Sequence, residues 1–298
     1  MTATPVWING SLEGRIEPLD RGLTLGDGIF DTAVAFRGVP FAGARHIERL
    51  MSQADAIGIE LAGEAVRDGW AAILSIVAGE AIILRTTVTR GRTGRGLWPA
   101  EPFVPTIIVS GTSWSAHLFG QAVRLVTGTI RRNSSAPSSR LKTLGYLDNV
   151  LAAREAAERG ADDALLLNTS GWVACTSIAN VFALHGDRLS TPPVSDGVLP
   201  GIMRGLVLEA AEELGIRPAE SSLKIGDLLA ADAVFLTNSV RFLSPVMSLD
   251  DEPLSSIAGA AVARLADVIA AQVESECGIA PGAPPDNAAS RNSDARTS

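Results

Sequence analysis

The chain has 298 residues, 46% of them hydrophobic and 19% charged, with a formal net charge of −8. That length supports a large core and two domains, and the acidic balance argues against nucleic acid or an anionic membrane as the main partner. No uninterrupted apolar run is long enough to span a bilayer, and the N-terminus lacks the basic start and apolar block of a signal peptide, so the cytoplasm is the expected compartment. Cys175 and Cys277 are far apart, and His46, His117 and His185 are too scattered for a zinc site, so no metal is expected.

In chain order, residues 5–39 read as short strands and turns, with strand-like runs at 6–10, 14–17 and 32–38. Residues 45–57 have helical spacing, with Ile47, Leu50, Met51, Ala54 and Ile57 on one face, and a second helix is predicted over 63–76. Residues 81–89 and 104–110 are β-branched and strand-like, and 111–120 reads as a linker between domains. Beyond it come a strand at 122–130, a Ser/Pro-rich loop at 133–139, and a helix at 147–158 that ends at Arg159-Gly160. Strands at 164–168 and 172–184 flank the turn Asn168-Thr169-Ser170-Gly171. A helix at 201–214, a buried strand at 233–237 and a terminal helix at 257–274 follow. These elements divide into a small α/β domain over 1–110, the linker 111–120 and a larger domain over 121–277. From Gly278 the composition turns to Pro, Ala, Asn, Ser and Gly, which reads as a disordered tail over 278–298.

Only two lysines, Lys142 and Lys224, stand among the 25 basic residues. Arginine supplies ion pairs and solubility equally well but cannot act as a neutral amine. A lysine retained against that background is a candidate for chemistry, unless two lysines simply escaped a coding bias. Lys142 lies in Arg-Leu-Lys-Thr-Leu-Gly-Tyr-Leu, an apolar setting that favours a lowered pKa and Schiff-base chemistry. The only tyrosine, Tyr146, follows four residues later. Lys224 reads as a surface cation at a helix start.

Several separated segments form one ordered pattern. They are Gly26-Asp27-Gly28-Ile29-Phe30-Asp31-Thr32, His46-Ile47-Glu48-Arg49-Leu50, Arg90-Gly91 with Arg95-Gly96-Leu97, Leu141-Lys142-Thr143-Leu144, Asn180-Val181-Phe182, the run from Gly197 to Arg204, and Thr237-Asn238-Ser239. Singly each is weak; together, from about Val6 to Gly278, they resemble the class IV aminotransferases, the fold-type IV pyridoxal-phosphate enzymes. The resemblance implies an α+β fold with a small α/β N-terminal domain and a larger β-barrel-like domain carrying helices. It also implies pyridoxal 5'-phosphate as cofactor, a small-molecule amine substrate and a homodimer.

The resemblance also assigns residues. Lys142 matches the lysine that binds the cofactor and moves protons. Arg49 matches the arginine that holds its phosphate, a contact suited to a guanidinium fork; read alone it is a helix-surface arginine. The amides of Ile202 and Met203 would meet the phosphate at a helix N-terminus. Ser239 matches a further phosphate contact, with a plain turn serine as the alternative. The family's glutamate, five residues before the asparagine, pairs with the pyridine nitrogen; here Cys175 stands in its place. A neutral thiol is a poor substitute for that carboxylate, and Cys175 also reads as an inert core residue.

Within the family, Thr237 to Arg241 followed by Ser244-Pro245-Val246, with Gly171-Trp172-Val173 and Leu147, most resemble aminodeoxychorismate lyase, which releases pyruvate and forms 4-aminobenzoate in folate biosynthesis. Thr32, Arg95 and Arg241 are the candidate substrate contacts, and Tyr146 is a pocket wall or a core aromatic. The alternatives are a transaminase acting on branched-chain, D-amino or other small amine donors, and a catalytically silent paralogue.

Overall fold

The computed structural model describes residues 4–77, 81–94, 96–98, 102–255 and 260–281. The first sheet is antiparallel throughout and runs in the order β1 (Val6–Ile8), β5 (Thr106–Ser113), β4 (Ile82–Thr89), β2 (Gly28–Phe36) and β3 (Val39–Pro40). Side chains alternate across a strand, and β2 uses both faces. Ile29, Ala33 and Ala35 pack with Leu50, Ile73 and Val109 under helices α2 (Gly43–Ala56) and α3 (Gly63–Ile76). Val34 and Phe36 point the other way, into a core shared with the second sheet.

That second sheet contains β6 (Val123–Arg132), β7 (Asp163–Asn168), β8 (Val173–Thr176), β9 (Asn180–His185), β10 (Arg188–Thr191), β11 (Arg217–Glu220), β12 (Ala233–Asn238), β13 (Phe242–Leu249) and β14 (Glu252–Pro253). Its order is β11-β10-β9-β12-β13-β6-β7-β8, with β14 beside β13. Cys175 of β8 also pairs with Asn180 of β9, closing β9, β12, β13, β6, β7 and β8 into a ring. Full closure of this kind removes open edges. The parallel pair β6–β7 requires a crossover, and helix α4 (Leu147–Glu158) supplies it, packing Ala152 and Ala156 against Val126, Ala164 and Leu166. Helices α5 (Ile202–Glu213) and α7 (Ala260–Cys277) cover the opposite wall, where Val207, Leu265 and Ile269 meet Phe182 and Phe235.

Several sequence expectations are corrected. Residues 14–17 form no strand; a short helix α1 (Arg21–Leu25) follows instead, capped by Asp20, whose carboxylate accepts from the Gly22 amide at 2.7 Å. On α2, Met51 is exposed and Ile57 only half-buried, while the polar His46 and Gln53 take core positions. β5 continues to Ser113, into the expected linker. Trp114 then anchors that connection, donating its indole N–H to the Val240 carbonyl at 2.8 Å. The strand expected over 172–184 is broken at 177–179, where Thr176 Oγ1 accepts the Ala179 amide at 3.0 Å. A further short helix, α6 (Ile225–Leu229), follows Lys224. The start expected for the last helix, at Ile257, lies outside the described residues. At the other end the chain stays packed past Gly278, with Ile279 against the core and Pro281 buried.

Phe182 and Phe235 are fully buried and stack with ring centroids 5.0 Å apart. Phe182→Ala should therefore cost about 3–5 kcal/mol of stability through lost contacts and a residual cavity, read as a lower urea midpoint at unchanged slope.

Candidate functional site

A cavity of about 640 Å³ opens between the two sheets. Lys142 reaches it because its segment is pinned to the free edge of β2. The Phe30 amide donates to the Lys142 carbonyl at 2.8 Å, and the Leu144 amide donates to the Gly28 carbonyl at 3.0 Å. Gly28 is needed here, since a Cβ would lie 2.4 Å from the Val88 carbonyl oxygen and 2.8 Å from the Leu144 side chain. From α2, Gln53 Oε1 accepts the Lys142 amide at 2.8 Å, which explains that buried glutamine. The Lys142 amine stands 3.4 Å from the Tyr146 hydroxyl and 4.4 Å from the centre of the Phe30 ring. Burial first, and the Arg49 cation second, lower its pKa from 10.5 to about 8, against the pull of Asp31. Burial likewise raises the Tyr146 phenol.

Arg49 is held by a buried carboxylate. Asp31 is 3% exposed and accepts from Arg49 Nε at 2.9 Å, with Nη2 at 2.7 Å, while His46 Nδ1 donates to its other oxygen at 2.6 Å. Burial alone would raise the Asp31 carboxyl, but Arg49 and His46 outweigh it and hold the group well below the usual carboxylate range. Facing Arg49 is the N-terminus of α5, where Gly201, Ile202 and Met203 line the cavity and no side chain caps the helix. Gly201 is again forced, because a Cβ would fall 2.2 Å from Asn180 Oδ1. Nearby, Thr237 Oγ1 is buried with no hydrogen-bond partner among the described residues, and Ser239 shares the wall. Uncapped amides, a guanidinium and unused hydroxyls are a donor set for an anion such as a phosphate.

Cys175 lines the same cavity; burial raises its pKa and keeps it a neutral thiol. Thr32, Tyr146 and Arg241 line it too, so the structure gathers every predicted site residue except Arg95, which lies outside the described residues. The sequence reading missed Arg85, Arg131 and Arg132, and gave Asn180 and Thr237, though within its motifs, no role of their own. Arg85 pairs across from Thr32 and lays its guanidinium 3.8 Å from the centre of the Phe30 ring. Its signal was available, as the one charge in the strand Ile-Ile-Leu-Arg-Thr-Thr-Val-Thr. The Gly-Asp-Gly and Arg-Gly motifs prove structural: Asp27 accepts from Arg21 Nε at 2.7 Å and from Arg90 Nε at 2.8 Å. Among the described residues no group of His, Cys, Asp or Glu could hold a metal, and no helix is long and apolar enough to cross a membrane.

The amino-transferase class IV family model matches residues 28–249. The putative branched-chain-amino-acid aminotransferase of Methanocaldococcus jannaschii is 32% identical over 258 residues, covering 84% of this chain and 90% of that relative. The structure of 4-amino-4-deoxychorismate lyase from Pseudomonas aeruginosa superimposes with a TM-score of 0.81 at 29% identity, covering 92% of this chain and all of that one. The T.th. branched-chain amino acid aminotransferase, complexed with N-(5'-phosphopyridoxyl)-L-glutamate, gives a TM-score of 0.82 at 26% identity, over 93% of this chain and 95% of its own. The chain belongs to the class IV aminotransferases. It is a pyridoxal 5'-phosphate enzyme with the α+β architecture of fold type IV, which sets aside the silent paralogue.

A lysine lowered to about 8 is charged in the unfolded chain up to about pH 10.5 but neutral in the folded one above 8. The unfolded state then binds more protons, so stability rises with pH across that window. Apoprotein should gain melting temperature between pH 8 and 10 relative to a Lys142→Met variant, in which this contribution is absent; parallel profiles would show a normal amine.

Proposed function

We propose that the protein is a lyase of the aminodeoxychorismate type, releasing pyruvate from an aminated ring dicarboxylate and leaving 4-aminobenzoate. The observation that carries this reading is the charge of the cavity. Arg49, Arg85, Arg131, Arg132, Arg241 and Lys142 line it against a single carboxylate, Asp148, at the exposed start of α4. Arg49 is paired with Asp31, and Arg131 and Arg132 donate to backbone carbonyls. The guanidiniums of Arg85 and Arg241 have no hydrogen-bond acceptor among the described residues. Two free guanidiniums suit a substrate with two carboxylates, as charge-assisted forks.

In this reading Arg49, the Ile202 and Met203 amides, Thr237 and Ser239 would hold the cofactor phosphate, Lys142 would bind its carbonyl group, and Cys175 would border its ring. The cofactor supplies an electron sink for the carbanion formed at the substrate. With the cofactor bound, Lys142 Nζ would take the proton from the substrate ring carbon that bears the amine, as the carbon–oxygen bond from the adjacent ring carbon to the enol breaks. It then returns that proton to the departing enol, and Tyr146, 3.4 Å away, orients it between the two positions. An amine with a pKa near 8 is suited to both tasks. Thr32, beside Arg85 on the same face, positions the substrate, with Arg95 as a further contact. Leu23 and Leu25 of α1 and Leu147 and Val150 of α4 leave apolar surface beside the Lys142 segment, which supports a homodimer.

The second reading is a transaminase, favoured by the 32% identical aminotransferase relative; a dicarboxylic amino donor would use the same two arginines. A paired assay of the holoenzyme separates them, one arm following 4-aminobenzoate and the other keto-acid formation from a panel of amino donors. The first arm is expected to respond; keto acid without 4-aminobenzoate would select the transaminase.

Lys142→Arg should abolish turnover in either arm, whereas Lys224→Arg, altering an exposed helix start, should not. Arg85→Ala and Arg241→Ala should each raise KM by roughly 10- to 100-fold, the equivalent of one charge-assisted hydrogen bond. Unchanged KM in both would remove the dicarboxylate argument.

A further inference from the structure

We propose that this cavity holds the cofactor's pyridine ring with its nitrogen unprotonated, because the described lining, apart from the exposed Asp148 at its rim, offers that ring only neutral and cationic groups. The proposal rests on the cofactor site described above and on nothing about the substrate. A pyridine nitrogen keeps its proton inside a protein when a carboxylate stands beside it, and loses it beside cations or neutral groups.

The charges facing the cavity can be taken element by element. Arg49 comes from α2, Arg85 from β4, Arg131 and Arg132 from the end of β6, and Arg241 from the turn after β12. Lys142 and Tyr146 come from the segment before α4, and Cys175 from β8. Asp148, in the first turn of α4, is exposed and is the one carboxylate among the lining residues described. Two further carboxylates lie behind the wall. Asp31 is already neutralised by Arg49 and His46. Asp163 accepts from the amides of Ala164 and Ser177 and from the Ser177 hydroxyl, and it borders a separate small void behind Asn238 and Arg241.

On the β8–β9 wall the polar groups are no substitute for a carboxylate. The Asn180 amide is committed as a donor to the Leu199 carbonyl at 2.9 Å. Cys175 is 8% exposed and remains a thiol, able to give a weak hydrogen bond but not to pair with a pyridinium. An unprotonated ring is a weaker electron sink. That penalises a reaction relying on the cofactor alone to stabilise the carbanion, and favours one driven by formation of an aromatic product.

The test is the ¹⁵N resonance of ring-labelled pyridoxal 5'-phosphate bound to the full chain at neutral pH. The expected signal is that of an unprotonated pyridine, and Cys175→Ser, which keeps the wall neutral, should leave it in place. Cys175→Glu, if folded and loaded, should move it to the pyridinium position. A pyridinium signal in the wild type or in Cys175→Ser overturns the proposal, as does an unmoved signal in loaded Cys175→Glu. A wild-type chain that takes up no cofactor overturns the site reading itself, and the absence of any bound signal distinguishes that result from a bound, protonated ring.

Discussion

The pleat of β2 is the constraint from which the site follows. Successive residues of a strand point to opposite faces, so one strand serves two interiors at once. Ile29, Ala33 and Ala35 fill the core under α2 and α3, while Phe30 and Thr32 face the cavity and Val34 and Phe36 the core beyond. Asp31 falls on the helix side, where His46 and Arg49 meet it. The free edge of the same strand fixes the backbone of Lys142. The cationic head of Arg49 and the amine of Lys142 are thus located by one nine-residue element, and a register slip of one residue would exchange the two faces and dismantle both.

The electrostatics of the cavity run against those of the whole molecule. The chain carries a net charge of −8, yet among the described residues its cavity between the sheets gathers five arginines and a lysine around one exposed carboxylate. Like charges brought together in a poorly solvated space repel. Their repulsion is part of why the Lys142 amine falls to about 8. Arg49 has its compensation in a direct ion pair with Asp31. The guanidiniums of Arg85 and Arg241, which have no hydrogen-bond acceptor among the described residues, can meet anionic groups as charge-assisted forks.

Much of the cavity lining was legible in the residues themselves. Lysine scarcity singled out Lys142, and the ordered motifs led to Arg49, Ser239, Arg241 and the helix start at Ile202 and Met203. Other residues escaped for a physical reason. His46 and Gln53 sit at helix positions whose spacing marks a core face, and periodicity alone assigned that face to Met51 and Ile57 instead. A polar residue in the buried phase of a helix points to a partner elsewhere, but the partners, Asp31 and the Lys142 amide, are distant in sequence. Arg85 was visible as a lone charge in a β-branched strand, yet nothing local says whether such a charge meets solvent or a cavity.

The sequence by itself determined the longer helices and most strands, the candidate lysine and the family, because hydrophobic period, turn chemistry and residue type are local properties. Tertiary structure alone decided how the strands close. Cys175 and Asn180 had to become neighbours for the ring to form, and that one pairing sets both of them on the cavity wall beside Gly201. It alone decided, too, that arginines from α2, β4, β6 and the turn after β12 converge on one space. Charge convergence is a sum over residues far apart in the chain, fixed by strand order and register, and no local pattern encodes it.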